Sequence, residues 1–234
     1  MPLLSDRRKF LKTAVLTGTA AAIPAQTVIT GNVEAAQDSK PSKGLEYARM
    51  IRGMVQNLLA QDSSKIEQAG DLCAEALASG KKVYYNTTGH NEPQCIMEKR
   101  AGKPSFLIPL YGAIDYTIFK PGDVFITERI NFCAPAKEKG VKLIGILMPF
   151  QAQKKQGQGI VYVDYKGPWM EEICDVCIWD RVPFTIGTMS FDQLPFKAVP
   201  AHGAMDGIIL NLILAATIDR LVKKGIPVEA TVEG

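Results

Sequence analysis

The chain holds only two histidines, and each stands just ahead of a segment patterned as a helix. His90 lies in "NTTGHNEP", a polar turn between the strand-like "KVYYNTT" and the helix-like "EPQCIMEKRAG". Thr87 and Thr88 bring hydroxyls to that turn, Gly89 allows close backbone approach, and Asn91 suits a helix cap. An imidazole placed there can donate or accept a proton near neutral pH. A capping loop with His90 half exposed accounts for the same residues equally well. His202 sits in "KAVPAHGAMDG", after Pro200 and at the head of the last helix. There His202 or Asp206 can enter a site, or serve only as turn and cap. A third turn, "DVFITERINFCAPAKEKG", follows an apolar strand with Thr127, Glu128, Arg129 and Asn131. Glu128 and Arg129 read as a carboxylate base and an anion clamp, or as a surface ion pair.

These turns matter only if one scaffold edge gathers them. "LEYARMIRGMVQNLLAQ" and "DSSKIEQAGDLCAEALASGKK" both carry helical spacing, and Ser64 with Glu67 forms a capping-box pattern between them. Two helices are therefore expected before the first strand. After them "KVYYNTT", "SFLIPL", "DVFIT", "KLIGILM", "IVYVDY" and "ICDVCIWD" read as strands, with helical segments between. Strands apolar along their whole length, alternating with helices, predict an α/β fold with a mostly parallel sheet covered on both faces. In such a sheet, ligands bind where strand C-termini meet helix N-termini, beside free N–H groups and the positive helix end. The last helix is apolar nearly all round from Ile208 to Ile218, so it must be buried under the sheet or against another subunit. A homodimer is the economical expectation.

The chain's ends and composition narrow the class. "SDRRKFLK" followed by a mildly apolar Ala/Thr-rich stretch resembles a twin-arginine export signal, with Asp6 as a small departure. "VEAA" offers small residues for cleavage, so residues 1–36 are expected to be signal, 37–43 a solvated linker, and 44–234 the working domain. The resemblance implies a partner in the twin-arginine export machinery, passage in folded form, and a periplasmic or otherwise extracytoplasmic location. Net charge is +3 including the basic signal, and no basic patch is interleaved with aromatics, so nucleic acid is excluded as a partner. Five cysteines do not form a disulfide framework. Cys174 and Cys177 fall in an alternating apolar run, where a strand would point their sulfurs to opposite faces. No second Cys or His pair lies at zinc spacing, so buried apolar roles are expected for them.

Taken in order, "ALASGKKVYYNTTGHNEPQCIMEKRAG", "FKPGDVFITE", "APAKEKGVKLIGIL", "ICDVCIWD" and "GAMDGIILNLILAATIDRLVKKGIPV" resemble the sugar isomerase (SIS) proteins. The likeness is to the stand-alone, phosphoheptose-isomerase-like members. It covers nearly all of residues 44–228 and rests on the order and spacing of short motifs. It implies a flavodoxin-like three-layer αβα sandwich with two N-terminal helices and a long C-terminal helix. It also implies a homo-oligomer, dimer or tetramer, that binds a sugar or sugar phosphate without metal or cofactor. In the isomerases of this family a carboxylate and a histidine move a proton between neighbouring carbons of the open-chain sugar. The carriers it suggests here are Glu98, Glu128, His90 and His202, with Thr87, Thr88, Gly89, Asn91, Thr127, Arg129 and Asn131 around the ligand.

One departure bears on the ligand. The family's Ser/Thr-rich phosphate cradle falls where this chain has "TERIN". Only Thr127 supplies a hydroxyl there, and Glu128 repels a phosphate dianion unless Arg129 offsets it. A misplaced charge at ~4 Å costs about 4 kcal/mol at an effective dielectric near 20. Neutral or acidic sugars therefore suit the turn better than sugar phosphates. The competing expectation is a non-catalytic binding or structural subunit that kept the fold and lost the chemistry.

Overall fold

Sequence alternation of the predicted kind becomes a five-stranded, all-parallel sheet in the order β2-β1-β3-β4-β5. The computed structural model describes residues 41–86, 104–148, 167–183 and 187–229. Within them run α1 (Lys43–Ala78), β1 (Val83–Asn86), β2 (Leu107–Pro109), a 3-10 turn (Tyr116–Ile118), β3 (Val124–Thr127), α2 (Ile130–Glu138), β4 (Lys142–Leu147), α3 (Met170–Ile173), β5 (Val176–Trp179) and α4 (His202–Lys223). The expected strand "IVYVDY" and helix "EPQCIMEKRAG" lie outside the described residues.

The period-two rule divides each strand between two cores. Val83, Tyr85, Val124, Ile126, Ile144, Ile146, Val176 and Ile178 face one side and pack with α1 and α4. Tyr84, Phe125, Leu143 and Leu147 face the other and meet Ile130, Cys133 and Met170 of α2 and α3. Helices thus cover both faces, which explains why the strands read as unbroken apolar runs. Full burial of one such side chain contributes about 1.5–3 kcal/mol, so the sheet is the principal source of stability.

A single 36-residue helix stands where two were expected. The Ser64–Glu67 pattern does not start a new helix. No Gly or Pro interrupts the junction, and Asp62 is buried there with the Arg181 guanidinium and Lys65 as ion partners. A partner distant in sequence therefore secures the junction that local capping would have cut. Further along, Gly70 lets α1 and α4 touch. A Cβ on it would lie 2.6 Å from the Ala216 Cβ and 3.1 Å from the Ala216 carbonyl carbon.

The "KPGD" turn is held by its acid. Asp123 is buried, accepting the Lys82 N–H at 3.0 Å through Oδ1 and the Lys120 N–H at 2.9 Å through Oδ2. Gly122 supplies the positive φ of +87° that the turn requires. This clasp fixes the entry of β3 against β1. The last helix buries Met205, Ile209, Leu210, Ile213 and Leu214 against α1 and the sheet. Among the described residues no helix is long and apolar enough to cross a membrane.

Candidate active site at the strand C-termini

Because all five strands run the same way, their C-terminal ends share one rim. In β1 and β3 the last residues, Asn86 and Thr127, are register partners, and Thr127 pairs onward with Gly145 of β4. The chain leaves β1 toward β2 on one side, while β3 lies on the other, so this is the sheet's switch point. Residues 87–103, with His90, Thr87, Thr88, Gly89, Asn91 and Glu98, lie outside the described residues. The rest of the expected site can be followed side chain by side chain.

Thr127 acts on the backbone. Its Oγ1 accepts the Arg129 N–H at 3.0 Å, closing a tight hydroxyl turn just past the strand. Glu128, at the head of that turn, is fully buried. Arg129 is half-buried as the N-cap of α2, with its guanidinium 5.6 Å from the Phe132 ring centroid. Asn131, in the first turn of α2, is exposed and is not brought into the buried cluster.

Across the rim, β5 delivers Asp180, which is also fully buried. Its Oδ1 accepts the Val182 N–H at 3.0 Å, and its Oδ2 lies 2.5 Å from His202 Nδ1. His202 opens α4 and is mostly buried. With one carboxylate oxygen committed to a backbone N–H, the other accepts the Nδ1–H of the imidazole. The ring is thereby oriented with Nε2 directed away from Asp180. Asp206 lies four residues further on the same helix face, almost completely buried. Among the described residues neither of its carboxyl oxygens has a hydrogen-bond partner.

Electrostatics join the two halves of the rim. Burial pushes the Asp206 carboxyl well above the usual carboxylate range, and the nearby charges of Glu128 and then Asp180 push it further. Burial also raises Asp180, against the opposing pull of His202, the Val182 N–H and Arg181. Three carboxyl groups in one dry space cannot all ionise. Among the described residues Asp206 has neither a cation nor a hydrogen-bond donor beside it, and burial with its acidic neighbours opposes its ionisation. The cluster therefore combines a carboxyl group whose ionisation is disfavoured, a buried glutamate and an imidazole clamped by an aspartate. Those are the parts that general acid–base chemistry requires.

The structure thus brings Glu128 and His202 together through Asp206 and Asp180. Sequence reasoning placed Asp206 beside His202 but missed Asp180, which closes the apolar run "ICDVCIWD". An acid one residue beyond a buried strand was the available signal. Asn86 was also passed over as a plain strand residue. It is buried, donates from Nδ2 to the Leu110 carbonyl at 2.8 Å, and its Oδ1 at the switch point has no hydrogen-bond partner among the described residues.

A separate cavity of about 270 Å³ lies between α1 and α4, lined by Leu59, Ile66, Leu212 and the Arg220–Glu67 pair. Its lining has no histidine, and its α4 residues lie well along the helix from His202. Among the described residues no group of His, Cys, Asp and Glu is arranged to hold a metal ion. No protein-family model matches the chain, and no curated protein matches it.

Proposed function

We propose that residues 44–234 are a domain of the sugar isomerase (SIS) type that binds a neutral sugar at the strand C-termini and moves a proton on it. The observation that carries this reading is the convergence of Glu128, His202, Asp180 and Asp206 at one rim, where burial and acidic neighbours raise the Asp206 carboxyl. In this reading Glu128 is the base that takes a proton from the carbon beside the carbonyl. His202, steadied by Asp180, moves the hydroxyl proton, and the Asp206 carboxyl donates a hydrogen bond to the developing enediolate oxygen. Such a donor is strongest where water is excluded. The strand order β2-β1-β3-β4-β5 and the long closing helix are compatible with this fold type.

Ligand class follows from charge. A phosphate dianion beside Glu128 and Asp180 meets repulsion, whereas sugar hydroxyls donate readily to carboxylates. Aldoses and ketoses without phosphate are expected to raise the melting temperature, and their sugar phosphates are not. In D2O, the bound sugar is expected to acquire deuterium at the carbon next to the carbonyl, followed by proton NMR. Glu128→Gln should reduce that exchange by about 10²–10⁴-fold. Stabilisation by sugar phosphates alone would overturn the ligand class. Binding without exchange would leave a non-catalytic sugar-binding domain.

The Arg7–Arg8 pair and the small residues of "VEAA" support the same domain working outside the cytoplasmic membrane. Replacing both arginines with lysine is expected to retain the folded protein in the cytoplasmic fraction. Unchanged export of that variant would remove the twin-arginine route.

A further inference from the structure

Three of the five cysteines gather on the sheet face opposite α1 and α4. Cys133 lies in the first turn of α2 and is fully buried, Cys174 is the C-cap of α3, and Cys177 belongs to β5. The expectation that one strand would send Cys174 and Cys177 to opposite faces is corrected here. Cys174 precedes β5, so the strand alternation does not govern it. Gly145 of β4 makes the room. A Cβ on it would stand 3.1 Å from Cys174 Sγ, 3.6 Å from Cys177 Sγ and 2.8 Å from Met170 Cε.

Within this nest the sulfurs differ. Cys133 Sγ and Cys174 Sγ are 3.9 Å apart, in van der Waals contact. Cys177 Sγ instead donates to the Met170 carbonyl at 3.2 Å. Cys133 Sγ also reaches the carbonyl of Arg129 at 3.5 Å, in the turn that carries Glu128. Cys174 is partly exposed, and Cys133 is not. An outside reagent therefore reaches Cys174 before Cys133, which waits behind it.

We propose that Cys133 and Cys174 are a dithiol–disulfide pair, closed by exchange with a small dialkyl disulfide, that locks α2 to α3 beneath the Glu128 turn. In the first step the Cys174 thiolate attacks one sulfur of the reagent disulfide. A mixed disulfide forms, and a small thiolate leaves and takes up a proton. Cys133 then gives up its proton and attacks the Cys174 sulfur, expelling the second small thiol. Two protein thiols are oxidised and one dialkyl disulfide is reduced to two thiols. Closing the bond brings the sulfurs from 3.9 Å to about 2.0 Å, and the missing side chain at Gly145 leaves space for the rotation. The Cys133 thiol, and burial after it, push the Cys174 thiol above its ordinary range. A thiol so raised is seldom a thiolate, so the first exchange step is slow and needs the disulfide reagent in excess.

The test is independent of what the rim binds. Native full-length protein is incubated with oxidised glutathione, quenched in acid, alkylated and digested with trypsin. Mass spectrometry is expected to find residues 130–137 linked to residues 167–181. That link should vanish in Cys174→Ser and persist in Cys177→Ser. The oxidised wild type should melt about 5 °C higher than the reduced form, because the bond restrains the unfolded chain. A bond inside the 167–181 peptide, a bond to Cys95, glutathione left on Cys174 without a link, or an unchanged melting temperature would each overturn the proposal. The wild-type peptide map decides the pairing even if a variant folds poorly.

Discussion

Asp206→Asn is expected to make the protein more stable than the native chain at pH 7.5, by about 2 kcal/mol. For a domain of this size that is a rise of roughly 4–8 °C in melting temperature. The sign follows from proton linkage. Burial, with Glu128 and Asp180 close by, raises the Asp206 carboxyl well above the usual carboxylate range. Above about pH 4 the unfolded chain releases this proton while the folded chain keeps it, so the native protein loses stability as pH rises. Asparagine has nearly the same shape and no proton to lose. The gain should therefore shrink toward pH 4, where both states of the native chain hold the proton. Urea titrations at pH 4, 5.5 and 7.5 measure it, with an unchanged slope confirming that the midpoints are comparable. A variant destabilised by the same amount at every pH would show that Asp206 is an ordinary ionised or hydrogen-bonded group. Proton exchange on sugar should fall in this more stable variant, the usual exchange between stability and a strained site.

The sheet was legible because both its faces are covered. Each apolar run, such as "DVFIT" or "KLIGILM", carries the side chains of two cores at once. The helix boundary near Ser64 was misread for a physical reason. Local capping chemistry competed there with a buried ion pair, Asp62 to Arg181, whose partner lies 119 residues away. The cysteines were misread similarly, because "ICDVCIWD" is one alternating run in sequence but a helix cap followed by a strand in space. At the rim, Glu128 and His202 could be named from their positions after a strand and before a helix. Thr127 was named with them as a ligand contact, yet its oxygen closes the turn onto Arg129. Asp180 could be noticed as an acid just past a buried strand, but its pairing with His202 depends on β5 ending beside the start of α4. No local pattern records that juxtaposition.

The same juxtaposition makes Asp180 the residue whose loss should cost most. Asp180→Ala removes the acceptors for two buried donors, the Val182 N–H and the His202 Nδ1–H. Each buried donor left unsatisfied costs about 1–3 kcal/mol, so a loss of about 3 kcal/mol is expected in denaturant titration. Asp180→Asn separates fold from chemistry. Its amide oxygen still accepts from Val182, while its NH2 faces the imidazole and requires a lone pair at Nδ1. The ring then has to carry its proton on Nε2. Stability should stay within about 1–2 kcal/mol of the native chain, while sugar proton exchange falls by about 10²–10⁴-fold. The tautomer can be read directly, since the chain has only two histidines and nitrogen NMR has two rings to assign. His202 should be protonated at Nδ1 in the native protein and at Nε2 in Asp180→Asn. An imidazole that keeps its Nδ1 proton in the variant would mean that Asp180 does not set the state of the ring. The rim would then lose the ordered acid–base pair on which the proposed chemistry depends.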